Sequence, residues 1–325
     1  MHYIVFDLEW NIAGRANKVD PEVKAKLPFE IMEIGAVKLD ESFNYVSQFS
    51  IFVKPKYYTI LSGYIAAVTR RLQQSLNYGM PFPDAARSFR DFCGEDFVFC
   101  TWSDSDISTL QMNLEFYGLA SLMPALSLDV QYLFDALIEH AGTQRNIEYA
   151  IDFLRVSKRQ PFHQAVNDAR YTGLILAEIV NLTKSDSEGL TGAEIIAPFL
   201  IDPSLNRTRI IHFSDLENLQ AALDAANAVP AECPACDCPL TQSLTWQIRK
   251  RNAEAVFLCP EHGRVAARLR LKPRPDKLFN AQLTFRLLRH LELLRSEQAA
   301  LAGEQTATDS ELTEAEADLD SNSGE

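Results

Sequence analysis

The chain has 325 residues, of which 47% are hydrophobic and 23% are charged, as in an ordinary globular protein. That length allows one full domain and a smaller second one. No apolar stretch reaches about eighteen residues, so we expect no membrane-spanning helix. The first strand-like segment is interrupted by two acids, so we expect no signal peptide either.

The formal net charge is −13, which taken alone argues against nucleic acid as a partner. The charge is unevenly distributed, however. Residues 233–300 hold 12 Lys and Arg against 6 Asp and Glu, whereas residues 301–325 hold 8 acids and no base. A basic segment therefore exists within an acidic chain, and the overall charge does not exclude a polyanionic partner.

The six cysteines indicate the redox environment. Four of them lie between positions 233 and 259, a crowding that does not resemble the disulfide framework of a secreted protein. We therefore expect a protein of the reducing cytoplasm.

The first 185 residues alternate between strand-like and helix-like patterns, and together they predict an α/β domain. Short apolar or alternating runs predict four strands, and apolar residues three and four apart predict helices. Three antiparallel-looking strands followed by strands mixed with helices favour a mixed sheet covered on both faces. The predicted strands cover 2–10, 30–41, 45–55 and 96–102, and the predicted helices cover 82–94, 106–118, 127–140, 146–155 and 168–182.

The remaining chain divides into four predicted segments. Residues 186–230 read as a partly structured connector with a short helix at 216–228, and 231–275 as a small zinc-ribbon-like module. A basic amphipathic helix is predicted for 276–300. The acidic stretch 301–325 is predicted to be a disordered tail because it has little apolar surface to bury.

Two acids interrupt the first strand. Asp7 and Glu9 are two residues apart, so their side chains leave the same face, which they share with Val5. Adjacent carboxylates in an apolar strand repel one another and titrate upward unless a cation neutralises them. The alternative is a strand end where both acids meet solvent.

Three further residues carry groups suited to the same chemistry. Asp104 and Asp106 lie where a strand ends and a helix begins, and we assign Asp106 to a metal and Asp104 or Ser103 to the helix cap. His163 precedes Asp168 by five residues, at the start of the last long helix of the domain. Four carboxylates and one imidazole can hold two divalent ions and take a proton from water.

The order of these motifs resembles one family. FDLEW at 6–10, FEIMEIGAV at 29–37, WSDSD at 102–106 and the histidine motif, His163-x-x-x-x-Asp168, resemble the DEDDh 3′→5′ exonucleases of the RNase T and DNA polymerase III epsilon superfamily. Within that group the resemblance favours the bacterial Eri-like and KapD-like exonucleases, and it covers about residues 1–183. The sister group needs Tyr at position 164, where Gln164 stands.

The resemblance implies a ribonuclease H-like fold and a division of roles among the five residues. Asp7 is expected to be shared between two Mg²⁺ or Mn²⁺ ions, Glu9 and Asp168 to complete the first, and Asp106 to support the second. His163 is expected to act as general base, with nucleoside 5′-monophosphates released from the 3′ end. Ser105 departs from the Trp that Eri-type relatives often carry before the catalytic Asp.

The cysteine module has the spacing of a metal site. Cys233-Pro-Ala-Cys236 and Cys259-Pro-Glu-His262 are 22 residues apart and predict one structural Zn²⁺. Cys238 can replace Cys236 as ligand or remain a free thiol. Such a module has little core of its own, so we expect the metal to supply folding energy.

The basic residues of the module and two aromatic residues are candidate contacts to nucleic acid. Phosphate contacts from the module would give affinity without sequence readout, but a solvated basic face or a protein-binding ribbon explains the same charge. Trp10 and Phe162 flank the acidic motifs and can stack on terminal bases or pack in the core. The predicted basic contacts are Arg249, Lys250, Arg251, Arg268 and Arg270.

The hypothesis is therefore a metal-dependent 3′→5′ exonuclease acting on single-stranded RNA or DNA or on a 3′ overhang. One alternative is a non-catalytic nucleic-acid-binding or adaptor protein on the same fold. Another is an oligonucleotide scavenger whose zinc module contacts protein. Retention of all five polar positions favours catalysis, because a binding protein does not need four converging acids.

Overall fold

The structure, a computed structural model, describes residues 1–12, 17–69, 73–124, 126–186, 189–205 and 207–288. The chain divides into two units, Met1–Asn206 and Arg207–Glu325. The predicted connector 186–230 is thus split between them, with its first part in unit 1 and its last part in unit 2.

Unit 1 is built on a five-stranded mixed sheet with the strand order β3-β2-β1-β4-β5. The first three strands pair antiparallel, whereas β4 pairs parallel to both β1 and β5. The strands are β1 (His2–Ile12), β2 (Phe29–Leu39), β3 (Tyr45–Phe52), β4 (Phe97–Thr101) and β5 (Ser127–Asp129).

Helices connect and cover these strands. The longest has 22 residues and follows the last strand of the sheet. The helices of unit 1 are α1 (Pro21–Lys26), α2 (Gly63–Thr69), α3 (Phe82–Cys93), α4 (Asp104–Phe116), α5 (Val130–Phe134), α6 (Ile147–Phe153), α7 (Ala165–Asp186) and α8 (Gly192–Ile196).

The alternation along β1 produces a separate core on each face of the sheet. Val5 points to the face covered by α5, α6 and α7, whereas Ile4, Phe6 and Leu8 point to the face covered by α3 and α4. All four side chains are 3% exposed or less, so β1 is buried on both faces. This arrangement confirms the predicted mixed sheet flanked by helices, and the fold is ribonuclease H-like.

The described part of unit 2 is an antiparallel sheet of five strands in the order β6-β10-β9-β8-β7, with one helix packed on it. Its core includes side chains of the helix, of β8, β9 and β10, and of two cysteines of the predicted zinc module. Its elements are β6 (Thr208–Leu216), α9 (Leu219–Ala228), β7 (Thr241–Arg249), β8 (Asn252–Cys259), β9 (Gly263–Pro273) and β10 (Phe279–Leu287).

Two expectations for this region differ from the structure. The helix predicted for 276–300 is wrong over Phe279–Leu287, which form a strand because Ala281, Leu283 and Phe285 alternate into the core. The cysteine module is also not a separate small body, since β6, α9 and β10 extend its core. Residues 289–300 of that predicted helix, and the tail at 301–325, lie outside the described residues.

Among the described residues, no helix is both long enough and apolar enough to cross a membrane.

Candidate active site and metal centres

Asp7 and Glu9 lie on β1 near its carboxyl end and face α7. Asp7 pairs with Gly35 of β2, and Glu9 pairs with Glu33. Gly35 is required by this geometry, because a Cβ there would lie 2.0 Å from the amide nitrogen of Val166 at the start of α7. The absent side chain allows α7 to approach the sheet directly beside Asp7.

This close approach brings a third acid to the pair. Asp168 is in the first turn of α7, and carboxylate oxygens of Asp7, Glu9 and Asp168 lie within 4.8 Å of one another. The structure therefore brings together three of the four predicted acids at one point.

Asp106 approaches β1 from the edge that pairs with β4. β1 pairs with β4 only as far as Val5, because β4 ends at Thr101 and the chain turns into α4. Asp106 Oδ1 accepts a hydrogen bond from the Leu8 amide at 3.0 Å, where the ladder has ended. Ser103 caps α4, which is one of the two options predicted for the cap. Asp106 is therefore not the capping residue, and its side chain is buried.

Burial and mutual repulsion act on these carboxyl groups. Burial raises the pKa of Asp7 well above its usual value, and the charges of Asp106, Asp168 and Glu9 add to the effect. Burial raises the pKa of Asp106 to about 7, although the hydrogen bond from the Leu8 amide acts to lower it. It raises the pKa of Asp168 to about 6, although the His163 amide opposes it. A bound cation would lower the pKa of these carboxyl groups and stabilise their charged forms.

One atom of the cluster supports the same conclusion. Asp168 Oδ1 is buried and accepts no hydrogen bond from the described residues. An unsatisfied buried carboxylate oxygen costs free energy, and an oxygen-preferring divalent cation would satisfy it. The donor set thus fits Mg²⁺ or Mn²⁺.

His163 is held beside this cluster by a tight turn. Its φ is +64°, in the left-handed region, and its amide donates to Asp168 Oδ2 at 2.9 Å. The preceding chain is anchored on α7, since Phe162 stacks on Tyr171 at 4.8 Å and the Tyr171 hydroxyl bonds to the backbone of Gln160. The histidine is therefore exposed but its backbone is fixed.

These residues line a cleft of about 450 Å³ that contains Asp7, Glu9, His163 and Asp168. Asp106 is connected to the cleft by the hydrogen bond from the amide of Leu8, which lines it. A further wall, which no sequence motif indicated, is formed by Gln131 and residues 144–148.

Arg145 is the fixed cation of that wall. Its guanidinium bonds to Glu139 at 2.7–2.8 Å and lies 4.4 Å from the centre of the Tyr149 ring. Its carbonyl accepts a hydrogen bond from the Trp102 indole at 2.9 Å. No motif marked this residue, because the loop is placed by contacts that are remote in sequence.

The two candidate stacking residues have different positions. Phe162 lines the cleft, whereas Trp10 packs toward the α3–α4 core with its ring 5.9 Å from that of Phe29. Only Phe162 is therefore placed to meet a ligand in the cleft.

The predicted zinc ligands converge in unit 2. Cys233, Cys236, Cys259 and His262 place their ligand atoms within 4.8 Å of one another. Cys236 Sγ and Cys259 Sγ are 3.6 Å apart, and the Sγ atoms of Cys233 and Cys259 are each 3.7 Å from His262 Nδ1. A tetrahedron with metal–sulfur distances of about 2.3 Å has edges of about 3.8 Å, so these residues can hold Zn²⁺.

The set that converges contains Cys236 and not Cys238. The Cys238 carbonyl instead accepts a hydrogen bond from the Cys233 amide at 2.9 Å. The Cys238 amide lowers the pKa of the Cys236 thiol, whereas burial raises that of Cys233 to about 11. A bound cation would favour the thiolate of both.

The predicted basic contacts lie on and beside the sheet of unit 2. Lys250 and Arg251 form the exposed turn between β7 and β8, and Arg268 and Arg270 project from β9. Arg268 is paired with Glu254 of β8. The side chain of Arg249 lies outside the described residues.

A ribonuclease H-like sheet with acids converging at its centre is typical of metal-dependent nucleases. The RNase T family model, described as an exonuclease, matches residues 4–176, and the chain belongs to this family. The predicted resemblance is confirmed at that level, and unit 1 contains an exonuclease-family domain. None of the curated proteins matches the chain significantly.

Solved structures of nucleases are similar to the chain at low identity. Cell-death related nuclease 4 (CRN-4) is 18% identical over 56% of this chain, with a TM-score of 0.46. The nuclease domain of 3′hExo, a DEDDh family member bound to rAMP, is 16% identical over 55% of this chain and 92% of its own, with a TM-score of 0.47. E. coli exonuclease I in a complex with single-stranded DNA is 12% identical over 79% of this chain, with a TM-score of 0.45. The chain spans 64% of the CRN-4 chain and 54% of the exonuclease I chain.

Proposed function

We propose that the protein is a 3′→5′ exonuclease that releases nucleoside 5′-monophosphates from RNA or DNA with the help of two divalent metal ions. The observation that carries this proposal is the convergence of Asp7, Glu9 and Asp168 within 4.8 Å, beside His163 in one cleft. The direction of attack follows the DEDDh resemblance of the motifs, and the carboxylate cluster supports the metal requirement.

Asp7, Glu9 and Asp168 would hold Mg²⁺ or Mn²⁺, with Asp106 supporting a second ion. Bound metal would activate a water molecule and stabilise the departing 3′ oxygen of an in-line displacement. The proton of that water would pass to the His163 imidazole, which is exposed to the cleft while its backbone is fixed by Asp168.

The cleft also suggests how substrate is held. Phe162 presents a ring stacked on Tyr171, against which a terminal base can lie. Arg145 presents a guanidinium whose direction is set by Glu139 and Tyr149, and it can approach a phosphate. The proposed partner is a single strand or a 3′ overhang, because the terminal nucleotide has to enter the cleft that holds the acids.

In unit 2, Cys233, Cys236, Cys259 and His262 would bind one structural Zn²⁺. A closed set of four protein ligands has no position left for substrate, so this metal would stabilise structure rather than catalyse.

The test uses 5′-labelled single- and double-stranded RNA and DNA, incubated with the wild-type protein and Mn²⁺ or Mg²⁺. We expect a ladder that shortens from the 3′ end, and no ladder with Asp7→Asn. The control is Lys184→Ala, near the far end of α7 from Asp168. Undiminished digestion by Asp7→Asn would refute the proposal, and absence of digestion by the wild type on all four substrates would favour a non-catalytic binding protein.

A further inference from the structure

Within the described residues of unit 2, a helix covers one face of the sheet. Helix α9 contacts β6 and β9, and the core side chains Val265, Ala267, Leu269 and Leu271 of β9 point to that side. The alternate residues of β9 point to the opposite face, and no described helix of unit 2 covers them.

This opposite face, the outer face, is strongly basic. In the central strands β8, β9 and β10, which are fully described, it carries five cations and one acid. The cations are Arg264, Arg268, Arg270 and Lys272 of β9 and Arg286 of β10. The single acid is Glu254, which pairs with Arg268, so the net charge of these positions is +4.

The cations form a row instead of a scattered set. Alternate residues of a strand are about 6.7 Å apart, so Arg268, Arg270 and Lys272 extend over about 13 Å. The cross-strand neighbours of these three on β10 are Thr284, Gln282 and Asn280, which are polar and uncharged. Within the described part of the chain, no acidic side chain pairs with Arg270 or Lys272.

We propose that the outer face of the unit 2 sheet binds the phosphate backbone of a single-stranded nucleic acid, independently of sequence. This inference rests on the proposed function, because it supplies a second contact for the same polymeric substrate. Charge complementarity carries the choice of occupant, because a row of cations with a net charge of +4 is suited to a polyanion. The outward positions of these strands carry no aromatic ring, so contact is with phosphates and not by base stacking.

The test measures equilibrium binding of a labelled 20-nucleotide strand of mixed sequence to the full chain carrying Asp7→Asn, over a series of salt concentrations. Arg270→Ala/Lys272→Ala is expected to weaken binding at least about tenfold at 0.1 M salt. Because each phosphate contact to a single strand contributes about 0.7 to the slope of log K against log salt, the slope should fall by about 1.4. Arg270→Lys/Lys272→Arg should restore both quantities.

A matched control removes the same charge from unit 1 through Lys24→Ala/Lys184→Ala, and it should change neither the affinity nor the slope. Zinc content and melting temperature show whether each variant is folded. Equal affinity and slope in Arg270→Ala/Lys272→Ala and its parent would overturn the proposal. It would also be overturned if the substitution changed binding only after the chain is truncated at position 300, because the acidic segment 301–325 would then be the occupant of the outer face. The readout is binding, so it does not depend on whether the chain hydrolyses its substrate.

Discussion

At the scale of single residues, the candidate site combines converging acids with a histidine in an uncommon backbone conformation. Asp7, Glu9 and Asp168 place carboxylate oxygens within 4.8 Å of one another, and burial raises the pKa of Asp7 and Asp168. The site therefore has an unfavourable charge distribution that a divalent cation would correct.

The charge cluster predicts an unusual pH dependence of stability without divalent cations. The folded-state pKa values of Asp7, Asp106 and Asp168 are raised above their unfolded values, so folding favours the protonated forms. Their stabilising contribution is complete below about pH 4 and is lost as the pH rises through about 6 to 7. Asp7→Asn removes one of the three charges and should stabilise the Mg²⁺-free protein at pH 8 by on the order of 1–3 kcal/mol.

This effect is measured by urea denaturation at pH 5 and pH 8, with and without Mg²⁺. The wild type should gain stability from Mg²⁺ at pH 8, and Asp7→Asn should gain much less. The prediction would be contradicted if the unfolding free energy of the wild type changed with neither Mg²⁺ nor pH in this range.

His163 allows its chemical and conformational roles to be separated. Its φ of +64° is tolerated by His and Asn but strained for a β-branched residue. We expect His163→Asn to lose at least about a hundredfold in turnover, as general-base catalysis commonly contributes, with an unchanged melting temperature. His163→Val should lose the same activity and also be destabilised by about 1–3 kcal/mol. Steady-state rates and thermal unfolding of both variants decide this, and equal stability of the two would refute the conformational part.

At the scale of elements, the site depends on how closely α7 approaches the sheet. Only a residue without a side chain fits at position 35, because a Cβ would lie 2.0 Å from Val166 N and 2.2 Å from the Ala165 carbonyl carbon. Both are backbone atoms and cannot move aside by a side-chain rotation. The helix itself would have to shift away, and Asp168 is in its first turn.

Gly35→Ala is therefore expected to lower stability by about 2–4 kcal/mol and to lower metal affinity as well, because Asp168 moves away from Asp7 and Glu9. Gly173→Ala is the matched control on the facing helix. Its new Cβ would lie 3.2 Å from the Val37 Cγ2 methyl group, and alanine favours a helix interior. Unfolding free energies and Mn²⁺ titration of the two variants test this, and an inert Gly35→Ala would show that α7 is not set by this contact.

The close contact between α7 and the sheet also separates the parts of the site that the sequence could predict from those that it could not. Asp7 and Glu9 were recognisable from their spacing on an apolar strand, and Asp168 from its distance to His163. Gly35 was visible as a glycine within a strand, yet its partner at Val166 is distant in sequence. Arg145 left no signal at all, because its position depends on Glu139, Tyr149 and Trp102 across a folded loop.

At the scale of the whole molecule, the longer strands and helices of unit 1 followed from local periodicity, whereas β5, which lies within the helix predicted for 127–140, and the extent of unit 2 did not. An amphipathic helix was predicted for 276–300, but Ala281, Leu283 and Phe285 alternate into the core, and this segment forms the strand that completes the sheet. Pairing of β10 with β6 spans more than sixty residues and leaves no local pattern. Unit 2 therefore has a larger core than the cysteine spacing alone suggested.

Because of that core, zinc should be a stabiliser of unit 2 and not its only source of folding energy. Cys259 and His262 lie at the turn between β8 and β9, whereas Cys233 and Cys236 precede β7. One ion would therefore join the segment before β7 to the turn between β8 and β9.

We expect non-denaturing mass spectrometry to find one zinc per chain. Cys259→Ser should lose it and lower a melting transition by more than about 10 °C, consistent with a loss of several kcal/mol. Cys238→Ser is the matched control, since Cys238 lies outside the converging set, and it should retain both zinc and melting temperature. Loss of zinc from Cys238→Ser with retention in Cys236→Ser would reverse the ligand assignment, and a zinc-free wild type that melts normally would refute the site.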